Sequence, residues 1–278
     1  MARSPKTTDR IIESLRVGIS TGRLVRGERL PNERELAKSF GVSQPTIREA
    51  IRVLEVMGLV QVRHGSGAYV SANVRDFLSQ SLQTLLQIED VGILDVIELR
   101  LSLARYSMSR AVRYATEENI DLIEQFERAL LEAAVEDDFP RTSQAAMKFL
   151  AALSAAAHSP LLFALESFLI ELMLALQIVA ARRDPEKFDA HWHDWHKNFA
   201  DDRIRLIRAL RARDESAALH AMVAYLEEQA RLFGRFPELS EIRLVDPVAV
   251  HAIAEAGLEV PTYQDLQTSP RNTAEDAI

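Results

Sequence analysis

Three observations predict a mostly α fold in two parts. Apolar residues recur at helical spacing along most of the 278 residues, alternation is confined to one short stretch near residue 60, and charge is split unevenly between the two ends. The first 75 residues hold 13 Lys and Arg against 7 Asp and Glu, whereas the remainder holds 20 against 34. The expected arrangement is a domain of three short helices and a hairpin over 1–75, then an all-helical bundle of six or seven helices over 76–236. A tail over 237–278, partly disordered, completes it.

The elements follow in order. "TTDRIIESLRVGIST" places Ile11, Ile12, Leu15 and Ile19 on one helical face and ends at Gly22. "LPNERELAKSFG" is a short helix starting after Pro31 and closed by Gly41. Ser43 caps a third helix, with Pro45 in the first turn, where a missing N–H does no harm. That helix runs through Ile47, Ile51, Leu54 and Met57 to Gly58, and "LVQVRHGSGAYV" then alternates, with Gly65 and Gly67 at its tip. Beyond residue 75 come long helical stretches: "ILDVIELRLSLARYSMSRAVRYA", "EENIDLIEQFERALLEAA" capped by Thr116, "SQAAMKFLAALSAAA", a very apolar helix from Leu161, "FDAHWHDWHKNFADDRIRLIRALRA" and "ESAALHAMVAYLEEQARLF". From Pro237 the pattern decays.

The apolar stretch at 160–181 is interrupted by Glu166 and Glu171. A charged residue at mid-bilayer costs about 2.5–3.5 kcal/mol on insertion scales, so a buried core helix is the better reading. With a polar start and no cysteine, the chain is expected to be cytoplasmic, without disulfides or thiolate metal sites.

Two short helices meeting at "SFGVS" form a helix-turn-helix, which seats its second helix in the major groove of DNA. Ser43, Gln44, Thr46 and Arg48 are polar at the start of that helix, while Ile47 and Ile51 face inward. Polar groups there reach base edges, and the backbone N–H groups of a helix start hold a phosphate. Arg63 and His64 beside Gly65 make a basic tip slim enough for the neighbouring minor groove. With the local positive charge, this is a winged helix-turn-helix built for double-stranded DNA.

The residues from Gly22 to Val70 also resemble the DNA-binding domain of GntR-type bacterial transcription regulators. The match runs through Leu30-Pro31, Glu33, Leu36-Ala37, Val42-Ser43, Arg48-Glu49-Ala50, Leu54, Gly58-Leu59 and Gly65-Gly67. The helical remainder resembles the FCD effector domain of the FadR branch, through its helix pattern, Arg100 in "VIELRLSLA", and "RLIRALRARDESAALHAMVAYL". The resemblance implies DNA contacts from Arg34, Ser43, Gln44, Thr46, Arg48, His64 and Gly65. Family members commonly carry arginine where this chain has Gln44; arginine suits guanine, glutamine adenine.

Many FCD domains bind a metal through an aspartate, a histidine four residues later and two further histidines. The resemblance puts Ala146, Leu150, Arg203 and Tyr225 at those positions, so no metal is expected there and no cofactor. An arginine in that place can hold a carboxylate through its bidentate fork, with Arg100 a second cation and Tyr225 a neutral donor. Equally, a buried arginine can be structural, paired with an acid such as Glu98 or Asp202. A rival metal site lies in "HWHDWH", where His193 and His196 share a helix face, with His191, His158 or His220 as further ligands. The plainer reading is an aromatic helix start packed on Trp192 and Trp195.

The expected function is a ligand-responsive regulator: a homodimer on a palindromic operator, repressing a catabolic operon until a carboxylate or acyl metabolite, an anionic effector, releases it. The alternative is a metal-dependent enzyme using the histidine run. Neither H-E-x-x-H nor a phosphate-binding G-x-x-x-x-G-K-[ST] occurs, and no enzyme activity is expected.

Overall fold

A computed structural model describes residues 7–21, 23–25, 27–63, 65–71, 74–136, 138–183, 199–235 and 240–267. The chain divides into two compact units, Met1–Thr84 and Leu85–Ile278.

In the first unit, α1 (Thr7–Ser20), α2 (Glu33–Phe40) and α3 (Gln44–Val56) precede an antiparallel hairpin of β1 (Val60–Arg63) and β2 (Gly67–Val70). Their facing apolar residues, Ile11, Leu15, Leu36, Ile47, Ile51 and Leu54 among them, close one core with Val60 and Val70. Local chemistry sets each boundary. Asn32 and Glu35 cap α2 reciprocally, each side chain accepting from the other's backbone N–H at 2.9 Å. Gly41 ends α2 at φ 67°, a left-handed conformation in which a side chain is strained. Ser43 caps α3 and Pro45 sits in its first turn. The hairpin pairs Val60 with Val70 and Arg63 with Gly67. Residues 27–30 add backbone bonds to β2, including Leu30 N–H to Ala68 O at 2.8 Å and Val70 N–H to Glu28 O at 2.8 Å. No alternation of polar and apolar residues announces this edge. The helix α4 (Val74–Ile88) is next along the chain.

The second unit is a helical bundle: α5 (Ile93–Tyr114), α6 (Glu117–Val135), α7 (Phe139–Ala155), α8 (Pro160–Arg183), α9 (Ala200–Arg211) and α10 (Glu215–Arg235). Neighbours in sequence pack as pairs, α6 on α7, α7 on α8 and α9 on α10, and α5 lies against α8 and α10. Thr116 and Asn119 cap α6 reciprocally, and the same Asn119 Oδ1 meets His158 Nε2 at 2.8 Å. Helix α8 carries the apolar run; its Pro160–Val179 window is long and apolar enough to cross a membrane, yet 89% of it is buried in this unit.

That burial needs residues from the segment expected to be a tail. There, α11 (Pro247–Ala256) packs on α8, burying Ala249 and Ala252, and α12 (Tyr263–Gln267) follows. Arg182 donates to the Glu255 carbonyl at 2.7 Å, Gln144 exchanges two hydrogen bonds with the Glu259 backbone, and the Phe163 and Tyr263 rings lie 5.4 Å apart. A helix apolar on every side has no solvent face, so additional chain must cover it.

Candidate DNA-binding surface and buried polar site

On the first unit, the buried face of α3 (Ile47, Ala50, Ile51 and Leu54) turns the opposite face outward. Ser43, Gln44 and Arg48 are exposed there and Thr46 is half-buried. The hydroxyls of Ser43 and Thr46 lie 2.9 Å apart, and the Thr46 N–H donates to Ser43 Oγ at 3.4 Å, so the cap and the second polar side chain are already organised. Arg48 reaches back to α2 and grips Glu33 with both ends of its fork, Nη2 to Oε2 at 2.6 Å and Nε to Oε1 at 3.1 Å. That hydrogen bonding holds the Glu33 carboxyl below the usual carboxylate range, and Arg52, one turn along α3, adds attraction. Arg34 is exposed beside Glu33 on α2. Arg52 escaped the sequence reading although its i, i+4 spacing from Arg48 places it on the same helix face.

At the wing, Gly65 is exposed at φ 72°. Arg63 stacks over the Tyr69 ring at 4.6 Å from its centroid, and Tyr69 Oη lies 2.7 Å from Ser66 Oγ. His64 lies outside the described residues. A side-chain carbon on Gly67 would stand 3.1 Å from Arg29 Nε, so Arg29 lies against this hairpin as well.

Inside the second unit the three expected effector residues are all buried, Arg100 to 6%, Arg203 to 1% and Tyr225 to 3% exposure. Arg100 and Tyr225 share a hydrogen-bonded line through Gln229, and Arg203 with its partner Glu127 acts on Tyr225 electrostatically. Arg100 Nη1 donates to Gln229 Oε1 at 2.9 Å, and Gln229 Nε2 donates to Tyr225 Oη at 2.9 Å. Arg203 Nε donates to Glu127 Oε2 at 2.6 Å. Tyr225 feels both arginines and Glu127; burial pushes its phenol up while the two cations oppose that. The expected acids Glu98 and Asp202 are not the partners: Glu98 is exposed, and Asp202 pairs with Arg205 at 3.1 Å. Ala146 and Leu150, at the other two family metal positions, are buried.

The line continues to Glu166, which the sequence reading used only as an argument against a membrane span. Ser154 donates a hydroxyl to its carboxylate and Ser107 adds a further hydrogen bond, yet burial pushes the Glu166 carboxyl above the usual range. Burial likewise raises Glu127, with Arg203 opposing. Burial lowers Arg100, with Tyr225 and Glu166 supporting its charge. Arg100, Ser107, Ser154 and Glu166 line a cavity of about 20 Å³, walled otherwise by apolar side chains. An acid inside an otherwise apolar helix was the signal for Glu166. Glu127 and Gln229 gave none, because single polar residues on amphipathic helices read as surface. The histidines of "HWHDWH", His193 and His196 included, lie outside the described residues; among the described residues no group of three His, Cys, Asp or Glu is placed to hold a metal.

Residues 7–70 match the family described as bacterial regulatory proteins, gntR family, and residues 95–228 match the FCD domain. The chain is 28% identical over 245 residues to the HTH-type transcriptional repressor NanR of Salmonella arizonae, a match covering 85% of this chain and 88% of that protein. It is 27% identical over 244 residues to NanR of an Enterobacter species, covering 85% and 88%. Among solved structures, Streptococcus agalactiae GntR shares the fold with a TM-score of 0.64 at 24% identity, covering 81% of this chain and 99% of that one. With an outward polar helix start beside a wing and a helical bundle after it, this chain belongs to the GntR family of bacterial transcription regulators, with an FCD domain following its winged helix-turn-helix.

Proposed function

We propose that this regulator is a dimeric, cytoplasmic repressor of a catabolic operon, released when a small metabolite with a carboxylate or acyl group enters the helical domain. The observation that carries the DNA half is the first turn of α3. Its buried face is fixed in the core, so Ser43, Gln44, Thr46 and Arg48 are presented together with Arg34 and the wing. Two such helices related by a dyad read a short palindrome on successive turns of DNA. The repressor sense is supported by relatives that carry that name.

For the effector half, Arg100 is the residue we assign to the carboxylate, since it lines a cavity. Tyr225 contributes through the hydrogen-bonded line and Arg203 electrostatically. An effector acts by binding the two arrangements of the dimer unequally, a coupling of typically about 1–3 kcal/mol. Selection from random DNA with the full-length chain tests the reading. A palindromic motif and a dimer in sedimentation support it; no enriched motif would sink it.

A further inference from the structure

The charges inside the bundle narrow the kind of effector it can hold. Among the described residues, the buried ionisable side chains of this unit are Arg100, Arg203, Glu127, Glu166 and Glu171, together with Tyr225. Two arginines stand beside three carboxyl groups, and with Arg203 paired to Glu127 no second free cation among them is offered to a plain anion next to Arg100. Arg203 is engaged by Glu127 at 2.6 Å, whereas Arg100 and Glu166 come from different helices, bond to neutral partners (Gln229 and Ser154) and line the same cavity. A carboxylate laid against Arg100 therefore stands near a second carboxyl group. A ligand carrying an amine beside its acid sets a cation against that carboxyl group, which favours its ionised form and makes a second ion pair.

Resting on the effector-domain reading, we propose that the cavity between Arg100 and Glu166 takes the head group of an amphoteric small molecule, an apolar α-amino acid, with its carboxylate on Arg100 and its ammonium on Glu166. Ser107 and Ser154 supply hydroxyl partners, and the remaining wall is apolar. At about 20 Å³ the cavity has room for roughly one water. Entry of a head group thus requires side chains to yield, and Met108 and Met222 in the wall are the most adaptable of them.

The experiment uses the full-length, unmodified protein. Each of the twenty standard amino acids is titrated by calorimetry alongside its deaminated acid and its decarboxylated amine; for leucine these are 4-methylpentanoate and 3-methylbutylamine. The expected result is that at least one apolar amino acid binds, at least tenfold tighter than either counterpart, and changes operator affinity. Glu166→Gln should shrink the advantage over the deaminated acid. Because the main comparison varies the ligand, it stands even if that variant misfolds. A deaminated acid that binds as tightly as its amino acid, or no binding by any of the twenty, overturns the proposal. Operator binding measured on the same sample separates the two failures. A chain that recognises an operator but prefers the plain acid loses only this inference, while one that recognises no DNA sequence loses the functional reading itself.

Discussion

Arg203 on α9 and Glu127 on α6 meet inside the bundle at 2.6 Å, with 0% and 4% of their side chains exposed. The pair ties two helices that are 76 residues apart in sequence. Breaking one member of a buried pair strands the other and costs about 3–5 kcal/mol, whereas replacing both with apolar side chains of similar volume is often neutral. Arg203→Met alone should lose stability of that order in urea unfolding, and adding Glu127→Leu should restore most of it. Equal losses in the single and double variants would show that shape, not charge, is what the site needs.

Arg48 is already occupied by Glu33, so DNA must share or take over its fork. Arg48→Ala should weaken operator binding and flatten its salt dependence by a slope of about 0.9, the share of one neutralised phosphate. Glu33→Gln should do the opposite, raising affinity at low salt by removing the competing carboxylate. Anisotropy titrations across a salt series check both. Identical slopes in all three proteins would remove Arg48 from the interface.

Gln44 sits exposed next to the Ser43 cap, at the first position of α3. Glutamine pairs with adenine and arginine with guanine in the major groove, each good pair contributing about 1–3 kcal/mol of discrimination. Gln44→Arg should therefore move one symmetric position of each selected half-site from adenine towards guanine. An unchanged motif would mean that Gln44 touches backbone only.

Glu166 predicts a pH effect of defined sign. Burial raises its folded-state pKa above the unfolded value of about 4.3, so between the two the folded chain keeps a proton the unfolded chain has lost. Stability from this group is therefore complete below about pH 4.3 and falls as pH rises through the folded value. Glu33, Glu124 and Glu215 are shifted downwards and act in the opposite sense at lower pH, outside that window. Relative to Glu166→Gln, the unmodified chain should lose thermal stability as pH rises above the unfolded value of about 4.3. A constant difference between the two proteins would place Glu166 at an ordinary pKa.

What the amino-acid order determined alone is everything that depends on neighbours within a few positions. The Ser43 cap, Pro45 in the first turn of α3, Gly41 and Gly65 in left-handed backbone, and the inward row Ile47, Ile51 and Leu54 are local consequences of residue type. They were legible because helix and hairpin periods write the core face into the chain. From them followed the winged helix-turn-helix and its outward polar turn. Tertiary structure decided the rest. Nothing near Glu127 or Gln229 in sequence marks them as interior; they are polar groups whose partners, Arg203 and Arg100, lie 76 and 129 residues away. The cover over α8 was decided the same way. Residues after Pro237 have weak periodicity, yet Ala249 and Ala252 are buried because α8 is apolar on every side and needs another surface to exclude water. Burial turns a polar side chain into an obligation to find a specific partner, and the identity of that partner is set by which helices pack, a property of the whole bundle and of no single segment.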